Sequence, residues 1–166
     1  MGAHPNSHAA TDGVPSRALA LSDAVVLADW LRFQLAQTAP ATPIAPDPPS
    51  ARVAAVLPLL YPRDGIPYLL FTRRSSGLRR HRGEISFPGG SSDPTDTSLA
   101  ATALREAWEE THLAQIQVEV LGALPPLFTV VSNFWVTPIV GWLAEGLPEL
   151  TPNPAEVEEI IEVPVA

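Results

Sequence analysis

The segment Ala103-Leu104-Arg105-Glu106-Ala107-Trp108-Glu109-Glu110 sets three carboxylates and a guanidinium within a few residues of one another. Its Ala-rich composition favours a helix. On a helix Glu106 and Glu110, at i and i+4, project from one face one turn apart, and Glu109 borders that face. Like charges so spaced cost a helix roughly a few tenths of a kcal/mol. A divalent cation reverses the sign: a hard ion such as Mg²⁺ takes one or two carboxylates, keeps several waters and bridges to a substrate phosphate. Arg105, four residues before Glu109, can pair with it and hold it in place. Taken by itself, the octapeptide reads more simply as a solvated acidic helix end.

It does not stand by itself. Phe87-Pro88-Gly89-Gly90 follows a short apolar stretch, and two glycines permit backbone conformations and a close phosphate approach that side chains forbid. Asp93 and Asp96 add carboxylates between this turn and the helix. Arg73, Arg74, Arg79, Arg80 and Arg82 are half of the chain's basic residues, and there is no lysine. Guanidinium forks suit phosphate oxygens; the plainer alternative is a set of surface ion pairs, each contributing about 0–1 kcal/mol. His81 can bond a phosphate or lock this loop to backbone carbonyls, and the second is favoured. Trp108 and Trp135 read as core rather than as a base-stacking platform.

The elements that must position these groups follow from periodicity. Ser22–Gln37 reads as a helix capped by Ser22, and Ala39–Ser50, with five prolines, as an extended connection. Val53–Tyr61 reads as one buried strand, Arg63-Asp64-Gly65 as a turn and Pro67–Thr72 as the partner strand. Ser75–Gly83 is a basic loop and Ile85–Phe87 a short strand. The carboxylate helix spans Thr97–Thr111, capped by Thr97 or Ser98 and ending near His112, in a position that prefers glycine. Ile116–Leu124 and Trp135–Leu143 read as strands, with Pro138 placing the latter at an edge or a bulge. Glu156–Val163 is strand or short helix. This order predicts an α+β fold, a mixed β-sheet flanked by helices.

Bulk properties narrow the function. A net charge of −8, from 18 acidic and 10 basic residues, argues against a nucleic-acid binder. No cysteine is present, which excludes disulfides, thiolate metal sites and a cysteine nucleophile. No apolar run is long enough to span a membrane. Residues 1–20 read as a flexible arm without a secretory core, so a cytoplasmic protein is expected.

With these residues in view, the chain resembles the Nudix hydrolases, whose signature is G-x5-E-x7-R-E-U-x-E-E-x-G-U with U aliphatic. Arg105-Glu106-Ala107-Trp108-Glu109-Glu110-Thr111-His112-Leu113 fits its second half, with His112 in place of glycine. In the first half the glutamate slot falls on Thr97 and the glycine slot on Ser91; Asp96 and Gly90 each stand one residue earlier, as in a longer loop. The coenzyme A pyrophosphatase branch of the superfamily carries such a loop and an upstream pattern, L-L-T-x-R-S-x-x-L-R-x-H-x-G-x-(V/I)-x-F-P-G-G-x-x-D. Leu69 to Asp93 is similar to it, including Arg74, Ser75, Leu78, Arg79, His81 and Gly83, apart from an inserted Phe71.

The resemblance covers about residues 50–165. It implies an α/β/α sandwich over residues 21–166, a single domain expected to lack the usual C-terminal continuation. It implies Mg²⁺ or Mn²⁺ held by Glu106 and Glu110, with Glu109 as a third ligand or water-orienting group supported by Arg105. It implies a small-molecule substrate, contacted by Arg74, Ser75, Arg79, His81, Gly89 and Gly90, with no nucleic-acid or membrane partner and a homodimer left open. Coenzyme A or acyl-coenzyme A would be cut at its diphosphate into 3′-phosphoadenosine 5′-phosphate and (acyl-)4′-phosphopantetheine. The alternatives are another nucleoside diphosphate derivative, or a catalytically silent module that binds a nucleotide or a protein. A general base on a later loop would be Glu119, Glu145 or Glu156.

Overall fold

The computed structural model describes residues 23–38, 44–77 and 83–165. Their helices and strands run α1 (Ala24–Thr38), β1 (Arg52–Val56), β2 (Leu59–Arg63), β3 (Ile66–Arg74), β4 (Ile85–Ser86), β5 (Gly89–Ser91), α2 (Leu99–Thr111), β6 (Glu119–Ala123), β7 (Leu127–Thr129), β8 (Phe134–Trp142) and β9 (Val157–Pro164), with a 3₁₀ turn at Gln115–Gln117 before β6. The expected arm at 1–20 and Ser22 lie outside the described residues, as do Arg79 and His81.

β8 is the axis of the sheet. Its first half pairs parallel with β1, from Arg52↔Phe134 to Val56↔Pro138, and antiparallel with β7. Its second half pairs parallel with β2 and antiparallel with β6. β5 extends the first half beyond β1; β3, with β4 and β9 on it, extends the second beyond β2. The sheet is therefore mixed and divides into two halves that share one strand.

This division corrects three expectations. The single strand Val53–Tyr61 is two strands, because the chain kinks at Leu57-Pro58 as it passes from one half of β8 to the other; Pro58 has no N–H for a ladder, and its carbonyl accepts from Gly141 N at 3.0 Å. Pro138 is neither at an edge nor at a bulge. It sits inside a central strand, at the point where β8 changes partners, and there its missing donor breaks no continuous ladder. The expected strand Ile116–Leu124 begins only at Glu119, after the 3₁₀ turn. The ambiguous segment at 156–163 is a strand, β9, paired along most of β3.

The two faces of the sheet carry separate cores. α2 packs Ala103 and Ala107 with Ala55, Leu57, Leu59, Tyr61, Leu70 and Ile139 on one face. α1 packs Ala24, Leu27, Ala28 and Leu35 against Leu60, Leu121, Val140 and Trp142 on the other. The result is the α/β/α layering of an α+β fold. At the start of α1, Asp23 Oδ1 accepts from Val25 N at 2.9 Å and Val26 N at 3.2 Å. The turn Asp64-Gly65 has both residues at positive φ, +53° and +79°, as a tight β2–β3 hairpin requires. Trp108 is not core: it is exposed, edge-on to His112 at 5.8 Å.

Candidate active site

Alternate residues of β8 share a face. Val140 and Trp142 lie beneath α1, whereas Phe134 and Val136, on the half that α1 leaves uncovered, line a cleft of about 430 Å³ with Ala54 and Val56 of β1. Thr129, Ser132, Arg74, Glu84, Glu156, Gly89, Gly90 and Ser91 complete its walls, together with Glu106 and Glu110.

α2 reaches this cleft from behind the edge strand β5. Ser98 caps the helix, its Oγ accepting from Ala101 N at 3.1 Å. Ala103 and Ala107 seat it on the sheet, and that phase turns Glu106 and Glu110 past Gly89-Gly90 into the cleft. The two glycines are required there. A Cβ on Gly90 would collide with the Glu106 carboxylate, and one on Gly89, at φ +154°, with the Ala55 carbonyl oxygen.

Glu110 is 2% exposed and its Oε2 has no hydrogen-bond partner among the described residues. Arg74 Nη1 stands 3.8 Å from Oε1. Burial pushes the Glu110 carboxyl up to about 8; Arg74 and the Gly89 backbone amide pull the other way, and Glu106 and Glu156 add repulsion. Burial also raises Glu106, against the pull of Arg105. Two desolvated acids held beside each other are costly unless a positive charge joins them.

Behind them Arg105 is gripped on all sides. Its Nε and Nη2 form a fork on Asp96 at 3.0 Å each, Nη1 donates to Glu106 at 2.9 Å and Glu109 at 3.1 Å, and Nη2 also reaches the Ser91 carbonyl. Asp96 accepts further bonds from Thr102 Oγ1 and Asp93 N, and Arg105 holds its carboxyl well below the usual carboxylate range. Asp96 thus braces the guanidinium that braces Glu106.

The cleft unites some of the singled-out residues and separates others. Glu106, Glu110, Arg74, Gly89 and Gly90 line it. Glu109, with a side chain 41% exposed, pairs with Arg105 and is not in the lining. Ser75 stands just outside, its N–H donating to the Glu156 carbonyl at 2.8 Å. Of the three later glutamates only Glu156 enters; Glu119 pairs with Arg32 on the surface, and Glu145 is exposed. The loop before Glu156 is tied to the end of α2, Asn153 N donating to the Glu110 carbonyl at 2.8 Å. His112 completes that junction. It adopts the left-handed conformation at φ +58°, donates from its N–H to the Trp108 carbonyl, and sets Nδ1 2.7 Å from the Thr151 carbonyl. Sequence reasoning missed Glu84, Thr129, Ser132 and Phe134; β-alternation from Ala54 would have found the floor, but the β7–β8 turn carries no motif.

No three His, Asp or Glu side chains among the described residues converge as they stand on one point. The donor set nevertheless fits a hard divalent ion: two carboxylates on one face of a turn, one with an orphaned buried oxygen, opening on space for a phosphate.

A mixed sheet between two helices, with carboxylates at the glycine-bounded edge of a cleft, defines a class, and residues 50–166 match the NUDIX domain family. The chain belongs to the Nudix family, whose hydrolases generally use divalent metal ions. It is 45% identical over 143 residues to a protein of Photorhabdus laumondii described as the uncharacterized Nudix hydrolase NudL, across 86% of this chain and 73% of that one. A protein of the same description from Pectobacterium atrosepticum is 43% identical over 153 residues, across 92% and 73%. Among solved structures, the Nudix hydrolase RenU of M. smegmatis superposes with a TM-score of 0.57 at 20% identity, over 69% of this chain and 71% of that one. The NUDIX domain of Shewanella oneidensis NrtR, solved with ADP ribose, superposes at 0.53 and 21%, over 69% and 73%. At such identities the likeness is one of fold. No helix among the described residues is long and apolar enough to cross a membrane.

Proposed function

We propose that this chain hydrolyses the diphosphate of coenzyme A or acyl-coenzyme A, releasing 3′-phosphoadenosine 5′-phosphate and (acyl-)4′-phosphopantetheine, with Mg²⁺ or Mn²⁺ held by Glu106 and Glu110. The observation that carries this reading is the buried Glu110 carboxylate, one oxygen without a partner, facing the cleft beside Glu106 and Arg74. A divalent ion supplies charge neutralisation on the diphosphate and a lowered pKa for water. Arg74 offers its guanidinium to a phosphate oxygen once Glu110 is engaged elsewhere. Gly89 and Gly90 let the diphosphate approach the backbone of β5 closely. Glu156, at the cleft wall, accepts a proton from the attacking water. Arg105, fixed by Asp96, orients Glu106 and holds Glu109 behind it. Ser75 fixes the backbone of Glu156; of the residues outside the described ones, Arg79 is proposed as a phosphate contact and His81 as a substrate-side residue that locks the arginine loop.

The coenzyme A assignment rests on the motif from Leu69 to Asp93. His112, where the signature has glycine, takes the left-handed conformation and closes the helix end itself, which argues against the silent-module alternative. Incubation with coenzyme A and Mg²⁺ should yield the 3′,5′-bisphosphate product. Folded protein giving no product with either metal would reject the reading, and a panel of nucleotide sugars and dinucleotides separates it from a different diphosphate substrate.

A further inference from the structure

Six arginines fall within the described residues, and five have a carboxylate partner: Arg32, Arg63, Arg73, Arg74 and Arg105. Arg52 has none among those residues. It is exposed, and its guanidinium lies on the Phe134 ring, 4.0 Å from the centroid, while Nη2 donates to the Ser132 carbonyl at 3.1 Å. Phe134 and Ser132 both line the cleft. Arg52, Ala54 and Val56 alternate on the cleft face of β1, and Arg52 stands four residues, or about 13 Å, along the strand from Val56. Val56 is opposite Gly89, at the carboxylate end. The acids are thus gathered at one end, and a cation without an acidic partner among the described residues stands at the other.

The rim that holds Arg52 is built. Its backbone N–H donates to the Asn133 carbonyl at 2.9 Å, Asn133 Nδ2 donates to the Ser50 carbonyl at 3.2 Å, and Thr129 Oγ1 bonds Ser132 Oγ at 2.7 Å and the Phe134 carbonyl at 3.2 Å. One face of the guanidinium is covered by the phenyl ring, which fixes its plane and removes water from that side. The remaining N–H edges form a fork for an oxyanion. A nucleobase stacked on the Phe134 face that Arg52 covers would first have to displace this side chain.

We infer that Arg52 is the specificity determinant for a second phosphate, carried by the nucleotide away from the diphosphate that is cut. The inference rests on the proposed reading that a nucleoside diphosphate derivative with a further phosphate on its ribose occupies this cleft, and it deepens that reading by naming the residue that recognises the ribose phosphate. The diphosphate would lie at the carboxylate end and the second phosphate at the fork on Phe134. Arg74, the deeper arginine, is committed to the Glu110 end.

Binding separates this claim from turnover. Adenosine 3′,5′-bisphosphate and adenosine 5′-monophosphate are titrated calorimetrically, with Mg²⁺, into the wild type, Arg52→Gln and Arg52→Lys. The wild type should bind the bisphosphate about 10–100-fold more tightly, the range of a charge-assisted contact. Arg52→Gln should reduce that ratio to within about twofold of unity, and Arg52→Lys, which keeps the charge and loses the fork, should fall between. A wild-type ratio near one, or a ratio undiminished in Arg52→Gln, overturns the assignment. Failure of the wild type to hydrolyse coenzyme A would instead count against the diphosphatase reading, while the binding ratio still decides the role of Arg52.

Discussion

Replacing Glu110 by glutamine should stabilise the metal-free protein and abolish its response to metal. Burial lifts the Glu110 carboxyl from its ordinary 4.5 to about 8. At pH 7 the folded protein must therefore carry a proton that the unfolded chain releases, and at about 1.4 kcal/mol per pH unit this costs roughly 3 kcal/mol. Glutamine removes that cost, but leaves a buried amide unsatisfied and deprives Arg74 of its acid, returning about 1–2 kcal/mol. The net gain is about 1–2 kcal/mol, a rise in Tm of about 3–6 °C for a chain of this size. Because the folded pKa is raised, the wild type's penalty is absent below about pH 4.5, grows as pH rises and levels off above pH 8. The advantage of the variant in EDTA should follow that course. Scanning calorimetry with and without Mg²⁺ reads both effects. A variant that melts several degrees lower in EDTA, or that still gains the wild type's metal-induced rise in Tm, would refute the assignment of Glu110 as a strained acid awaiting a cation.

Gly90→Ala sets a Cβ 2.7 Å from Glu106 Oε1, so the carboxylate must move; kcat/KM should fall about 100-fold with an unchanged far-UV spectrum, as a misplacement near 1 Å at a reacting centre costs. Asp96→Asn removes the fork that holds Arg105. Because that carboxyl is depressed when folded, its stabilisation is present above about pH 4 and lost as pH falls, so the gap in Tm between wild type and variant should be constant above pH 4 and close below it. His112→Ala keeps the left-handed backbone at φ +58° without the Thr151 contact and should cost about 2 kcal/mol in urea unfolding, whereas His112→Gly, relieved of the backbone strain, should stay within about 1 kcal/mol of wild type.

Much of the site was legible because its chemistry is local. Arg105, Glu106 and Glu110 fall within two helical turns, and Gly89-Gly90 lie just upstream, so periodicity alone predicts the face they share. The pairing of Arg105 with Glu109 follows from the same spacing and is present at 3.1 Å. Asp96 was read as an added carboxylate of the loop; only the fold shows it turned away from the cleft onto Arg105, since the loop's own bonds through Asp93 and Thr102 decide its direction. The break at Leu57-Pro58 and the central Pro138 were misread for one reason: both depend on β8 changing partners halfway along, a tertiary fact with no local signature. Glu156 could not be chosen from Glu119 and Glu145 because its entry to the cleft depends on Ser75, remote in sequence and bonded to its backbone, and on the tie of the neighbouring Asn153 to the Glu110 carbonyl. Arg52 was silent for the same reason, since its lack of an acid partner among the described residues is visible only once the other described arginines are paired.

The central claim is that one turn of α2 and the glycine strand beside it seat a divalent ion. Anomalous diffraction from crystals soaked in Mn²⁺ tests it most directly. The account predicts a peak within coordinating distance of both Glu106 and Glu110 at the carboxylate end of the cleft, lost in crystals of Glu110→Gln. A fully soaked crystal with no peak there, or with manganese bound only at other carboxylates, would contradict it.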